Sequence, residues 1–476
     1  MGNRYLVVSD LHLTDVEDHA DGWKAYKSSR YLFDDELAAL VQTFQDRDQG
    51  DTLTLLLNGD IFDFDLVTAV PEQPPWPTTR FERRRGMRAT APKSAWKLER
   101  MLSHHPRFVQ VLAGFVAAGH RLIYLLGNHD RELHFPEVQQ TLLDALEASA
   151  KEQGLSLATG RIRFEPWFFY VPGEIYAEHG HQYDFYTSFR YQLWPTVTAD
   201  GEPTLALPMG NLSNRYLMTR MGFFNPHASD YILNIFRYAS HWLRHYLFSR
   251  RSLLFNWFWG SLLVLGLVLR LKRKLHTPPP EHIERLRRTA RRFDLSDEEI
   301  ERLGQLQPKP IANRAFRMFR ELWIDRVMMA LMMTGGTIAL ALVPIPLWIK
   351  LMVPLSAFPL LYLIYEQLTQ GETIFTVEKV IPERARAVAR TLPARVVTFG
   401  HTHIPRVIPL SRSTTFVDTG TWAPIFDPQR RDRLRPGRRN YLLVSFHRGE
   451  ASVELGSWMD CQPGSSAQDL SADQAE

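Results

Sequence analysis

The 476-residue sequence holds one cysteine, Cys461, which stands in a polar tail. One thiol builds neither a disulfide framework nor a zinc site of several thiolates. A strong charge of either sign is also missing. There are 56 Lys and Arg against 52 Asp and Glu, a formal net charge of +4. Such a balance gives no reason to expect a nucleic-acid partner. The opening residues, MGNRYLVVSDLHL, contain no basic stretch leading into an apolar one, so no cleavable secretion signal is expected. Internal repeats are absent as well. What the chain does have is apolar content, 45% against 23% charged. Over this length that is enough for two or three domain-sized units.

Short apolar runs alternate with helical spacing over residues 1–195. Strands are expected at 4–9 (RYLVVS), 51–58 (DTLTLLLN), 121–126 (RLIYLL) and 173–178. Helical patterns cover 32–44 and 94–118. This alternation predicts an α/β layered domain. Residues 196–394 differ and read as a helical insert. Residues 252–269 run for eighteen positions without a charge, and Trp257 and Trp259 have the character of interfacial anchors. Residues 270–326 are charged and helical, with a capping box expected at Ser296 and Glu299. Residues 327–365 are apolar but broken by Pro344, Pro346, Lys350, Pro354 and Pro359. They fit either one spanning helix plus a partial one, or a bent hairpin. Strand character returns over 395–456, and a disordered acidic tail is expected at 457–476.

Polar residues gather where the strands end. SDLHL supplies Asp10 and His12, and NGDIFD supplies Asp60 and Asp63. LGNHDRE supplies Asn128, His129 and Asp130. EHGHQYD supplies His179 and His181, and FGHTHIP supplies His401 and His403. Parallel strands end on one edge of a sheet, so these loops are expected to converge on one crevice. Oxygen and imidazole donors without thiolate suit manganese, iron or zinc. Seven candidates (Asp10, His12, Asp60, Asn128, His179, His401 and His403) are enough for two ions sharing a carboxylate. Paired ions clamp a phosphoryl group during in-line displacement. Each motif alone is common; the ordered set is not.

The ordered set D-x-H, G-D, G-N-H-D, H-G-H, G-H-T-H resembles the calcineurin-like metallophosphoesterase superfamily, over roughly residues 1–190 and 395–455. The resemblance implies a two-sheet β-sandwich flanked by helices, with a dinuclear centre at one edge. It implies that Asp10, His12, Asp60 and His403 hold one ion, and that Asp60, Asn128, His179 and His401 hold the other. His129 would be the catalytic histidine, and Asp130 would orient it. DTGTW, residues 418–422, resembles the family's segment after the last histidines. SDLHL and the HG step resemble bacterial UDP-2,3-diacylglucosamine pyrophosphatases. Those enzymes usually carry Arg in place of His129 and Asp in place of His181, and they lack the apolar insert.

Arg80, Arg83, Arg84, Arg85 and Arg88 follow the Asp60 loop closely. They fit either a solvated surface run or a lid that holds an anionic substrate. His181 is expected behind the ligands; a substituted ligand, a substrate contact or a plain surface residue are the other readings. Asp10 precedes the insert and His401 follows it, so an even number of membrane crossings is required between them. One solution makes 327–365 a hairpin, lets 252–269 lie in the interface and keeps the basic 270–326 loop on the catalytic side. The other pairs 252–269 with one crossing in 327–365 and places that loop outside. The expected function is a membrane-associated hydrolase of phosphoesters or pyrophosphates. It would carry two divalent ions, with Mn²⁺ the first expectation, and act on a phosphorylated small-molecule or lipid-linked substrate. Its catalytic half is expected in the cytoplasm. The alternatives are a phosphodiesterase on a soluble nucleotide, with the insert as anchor, or a catalytically silent adaptor.

Overall fold

The computed structural model describes residues 2–20, 23–47, 52–222, 253–275, 277–311, 315–368, 377–426, 434–447 and 450–459. Most of the expected tail, Cys461 included, lies outside these residues.

Among the described residues there are fifteen strands. The first six are β1 (Arg4–Val8), β2 (Leu53–Asn58), β3 (Arg121–Leu125), β4 (Ile162–Glu165), β5 (Phe168–Val171) and β6 (Ile175–Glu178). A hairpin follows, of β7 (Thr196–Ala199) and β8 (Glu202–Leu205). Next come β9 (Val396–Phe399), β10 (Arg406–Pro409) and β11 (Thr415–Asp418). The last four are β12 (Ile425–Phe426), β13 (Leu434–Arg435), β14 (Asn440–His447) and β15 (Glu450–Ser457). One sheet has the order β15-β14-β1-β2-β3-β4, and the other β10-β11-β9-β6-β5. β1 to β4 run parallel, as do β6, β9 and β11. β1, β2 and β3 are almost wholly buried, which explains their unbroken apolar sequences.

Helices α1 (Asp34–Asp46), α2 (Arg80–Arg85), α3 (Ala91–His104), α4 (Pro106–Ala117), α5 (Pro136–Glu152) and α6 (Met209–Tyr216) belong to the N-terminal half. α1, α3, α4 and α5 pack on one another, with α4 against β3. The helix Val377–Thr391 packs against β9 of the second sheet. The single helix expected over 94–118 is two helices. Pro106 cannot donate a backbone hydrogen bond, so it ends one helix and opens the next at its first position. β4 and β5 are four residues each, too short to show a period against their neighbours.

The insert opens with the β7–β8 hairpin rather than a helix. The Ser296 capping box is formed as expected: its side chain accepts from the Glu299 backbone N–H. The helix Leu253–Lys274 packs one side on the body of the protein, with Ser261, Val264 and Val268 buried. Residues 327–365 fall within a hairpin of two helices, Ile324–Leu342 and Leu347–Leu368. Both are long and apolar enough to cross a membrane, and neither has its apolar stretch buried in the protein. At the root of this hairpin Tyr365 donates to Asp325, and Arg326 bonds Glu366 at 2.8 Å.

Candidate metal centre

Five strand ends meet at one edge of the sandwich. β1 delivers Asp10 and His12, β2 delivers Asp60, and β3 delivers Asn128 and His129. From the second sheet, β6 delivers His179, and β9 delivers His401 and His403. The backbone is strained there. Asp10, His12, Asp60, His401 and His403 all have φ between 51° and 70°. Residues with a β-carbon rarely adopt this region, at a cost on the order of 1–3 kcal/mol each. Close packing needs glycine at two points. A Cβ on Gly59 would stand 2.5 Å from the His179 ring, and one on Gly400 would stand 2.5 Å from Asp10 Oδ2.

Two groups of donors result. His403 Nε2 lies 3.2 Å from Asp10 Oδ1 and 3.2 Å from His12 Nε2. Asp60, His179 and His401 form the second group, with His179 Nε2 2.9 Å from Asp60 Oδ2. Asp60 also groups with His12 and His129, so it stands between the two sets. Asn128 is buried, and neither polar atom of its amide has a hydrogen-bond partner among the described residues. An orphaned buried amide costs about 1–3 kcal/mol, a cost that ligation of an ion removes.

The imidazoles are oriented from behind. His12 Nδ1 faces Asp63 Oδ2 at 3.3 Å, and His179 Nδ1 faces the Asn58 carbonyl at 3.0 Å. His401 Nε2 faces Asp184 Oδ2 at 3.2 Å and Thr187 Oγ1 at 3.3 Å. An acceptor on one ring nitrogen fixes the N–H there and turns the other nitrogen's lone pair to the centre. This donor set fits two divalent ions, as oxygen and nitrogen ligands with oriented imidazoles.

His129 Nδ1 lies 3.2 Å from Asp63 Oδ2 and 3.4 Å from Asp65 Oδ2. Burial opposes a charge on this ring. The carboxylates of Asp63, Asp60 and Asp65 overcome that, and its pKa is raised well above the ordinary value. Burial also pushes His179 down, and Asp60 and Asp10 hold it up, at about 9. Asp60 is pushed up by burial, but His179 and His129 bring it well below the usual carboxylate range.

Asp130 is buried in the loop that carries His129. Its oxygens accept from Tyr124 Oη at 2.7 Å and from the N–H groups of Gly127 and Ile61 at 2.6 and 2.8 Å. It therefore secures the loop backbone, while Asp63 and Asp65 stand against the His129 ring. His181 stands close to the second group of donors. It is buried beside His179, His401 and Phe189, with Gln182 Nε2 3.0 Å from its Nε2. Burial and the neighbouring His179 hold its pKa well below the ordinary value, so the ring is neutral. Arg80, Arg83, Arg84 and Arg85 sit on α2, which is capped by Thr79 and Glu82, and Arg88 follows it. Arg80, Arg83 and Arg84 are exposed, Arg85 donates to the Tyr216 carbonyl, and Arg88 pairs with Asp200. Among the described residues, no contact joins Arg80, Arg83 or Arg84 to the centre.

α6, inside the segment expected as insert, forms a wall of the centre. Asn211 Nδ2 donates to Asp65 Oδ2 at 2.6 Å and to the Asn128 carbonyl at 2.8 Å. Arg215 Nε donates to Asp65 Oδ1 at 2.8 Å, and its Nη2 bonds Glu132. The Asn214 amide approaches His129 Nε2 at 3.4 Å. No sequence signal marks α6, since NLSNRY has no spacing typical of a site. Asp63 and Asp65 did have one, the alternating acids of GDIFDFD.

A family model described as calcineurin-like phosphoesterase matches residues 4–243. The chain belongs to this family. A search of curated proteins finds no match to it. As a family member with clustered His and Asp donors, it is a metal-dependent phosphoesterase. His401 and His403 lie beyond the matched residues, yet they share the centre with Asp10 and Asp60.

Proposed function

We propose that this phosphoesterase works at a membrane and cuts a phosphoester or pyrophosphate of an amphiphilic substrate. One observation carries the reading: the apolar hairpin is rooted beside the metal centre. Arg317, in the helix that leads into it, stands 4.0 Å over the Phe185 ring. The preceding residue, Asp184, holds His401. A phosphoryl group at the bilayer surface would therefore lie close to the centre. Of the branches in this family, the UDP-2,3-diacylglucosamine pyrophosphatases fit best, as enzymes of a lipid-linked pyrophosphate. The catalytic half would face the cytoplasm.

Asp10, His12, Asp60 and His403 would hold one ion, and Asp60, Asn128, His179 and His401 the other, Mn²⁺ being the first to test. When bound, the ions supply positive charge to the phosphoryl oxygens and a nucleophile at neutral pH. The protein's own part centres on His129. Asp63 and Asp65 hold its Nδ1–H, so the opposite nitrogen faces the substrate. A protonated imidazole there stabilises phosphoryl charge and gives its proton to the leaving oxygen. Asn214 sets the side from which the leaving group is met.

The test is hydrolysis of bis(p-nitrophenyl) phosphate by detergent-purified protein with and without Mn²⁺, followed by lipid pyrophosphates. Mn²⁺-dependent turnover is expected, lost in Asp60→Ala and lowered about 10²–10⁴-fold in His129→Ala. Equal rates on acylated and deacylated substrates would overturn the amphiphilic part of the reading.

A further inference from the structure

Between residues 231 and 280 the chain carries eight Lys and Arg and no Asp or Glu. Ten of the same fifty residues are Phe, Tyr or Trp. The described part of this stretch is the helix Leu253–Lys274. Its inner side is built into the protein. Ser261, Val264 and Val268 are buried, and a Cβ on Gly260 would meet the Leu217 side chain at 2.7 Å. Leu217 directly follows α6, the wall of the metal centre.

The outer side is different. Phe255, Phe258, Trp259, Leu262 and Leu269 are all exposed, and their spacing is that of one helix face. Arg270 and Arg273 are exposed at its end. Phe, Trp and Leu on one face, with cations beside them and no acid, make the pattern of a helix lying in a membrane interface. The place agrees with this. Val268, Leu271 and Leu275 line a narrow cleft together with Phe185 and Ile311. Phe185 is also the ring under Arg317, at the root of the apolar hairpin. Helix and hairpin thus leave the body of the protein at neighbouring points.

We propose that this helix lies flat on an anionic lipid surface. Its aromatic face sits at headgroup depth, and Arg270 and Arg273 meet acidic headgroups. The proposal rests on the membrane reading above and adds a second contact, one that braces α6 on its inner side. A second copy of the chain is a poorer occupant, since it would set the same cations against each other. Nucleic acid fits less well too, because the cations cluster at one end and do not interleave with the aromatic stripe.

The test uses the full chain with Cys461→Ser, reconstituted in phosphatidylcholine vesicles with or without phosphatidylglycerol. An environment-sensitive dye is placed at Phe258→Cys, Leu262→Cys, Leu351→Cys in the hairpin, or Leu155→Cys on the outer helix layer. Quenching is read with spin-labelled lipids. Dyes at 258 and 262 are expected to lose most of their emission in anionic vesicles, and the dye at 155 none. Arg270→Gln with Arg273→Gln is expected to restore emission at 258 and leave 351 quenched. Quenching at 351 without quenching at 258 would overturn the proposal and leave the hairpin reading standing. Quenching at neither position would remove both. A 258 signal that changes only with protein concentration in detergent would assign the face to a second copy, which also overturns the proposal.

Discussion

Asn214 carries a backbone position that sequence alone would leave in the insert, yet its amide stands 3.4 Å from His129 Nε2. Asn214→Ala should lower kcat about fivefold, the worth of one ordinary hydrogen bond, with both ions retained. Metal content measured beside turnover checks this. Asp65→Asn should act on the pH profile. Burial lowers the His129 pKa, and the carboxylates around it raise it. Removing one carboxylate lowers it again. The active imidazolium is then lost at a lower pH, and the alkaline limb of the kcat profile should move to the acid side. Gly400→Ala should cost metal instead: its Cβ would press on Asp10 Oδ2 at 2.5 Å. Fewer than two ions per chain, with native circular dichroism, is the expected result. At this scale the convergence of the donors was legible because each stands at a strand end beside a glycine or a second donor. The residues behind them were not. Asp184, Asn211 and Arg215 come from loops and a helix whose place depends on tertiary packing, and no local pattern announces that.

Elements were legible where they were long and of one period. β1, β2, β3 and β6 were each expected within two residues of where they lie. The helix break at Pro106 was missed because the apolar spacing continues across it. The hairpin was one of two readings of 327–365. It was left open because prolines break one span or bend it equally well on paper, and Pro354 and Pro359 lie within its second helix. The element that roots it gives a pH prediction. Glu321, at the end of the helix Ala315–Glu321, is raised to about 7, chiefly by burial, with the Arg317 and Arg320 guanidiniums pulling the other way. A carboxyl held higher in the folded than in the unfolded chain stabilises below its unfolded pKa of about 4.5, and that stabilisation is lost as pH rises through 7. The thermal midpoint should therefore fall between those values, and Glu321→Gln should flatten the fall. An unchanged slope in the variant would remove Glu321 as its source.

On the scale of the whole molecule, the two topologies weighed from sequence differ in where the basic loop lies. The helix Pro280–Arg292 packs on the sandwich. Arg285 stands 4.5 Å over Trp194, and Arg292 bonds Glu165 at 2.8 Å. A segment held by the catalytic body shares its side of any membrane, which favours the hairpin as the crossing pair. In sealed vesicles, protease added on the side of the metal centre should cut within 281–305. Protection from that side would reverse the assignment.

The closing histidines come from residues 401 and 403, some 390 positions after Asp10. On the ribosome, the apolar hairpin emerges before either of them. The nascent chain has thus displayed its apolar hairpin before the donor groups can close. The grouped donors are complete only once β9 and the loop after it have been made.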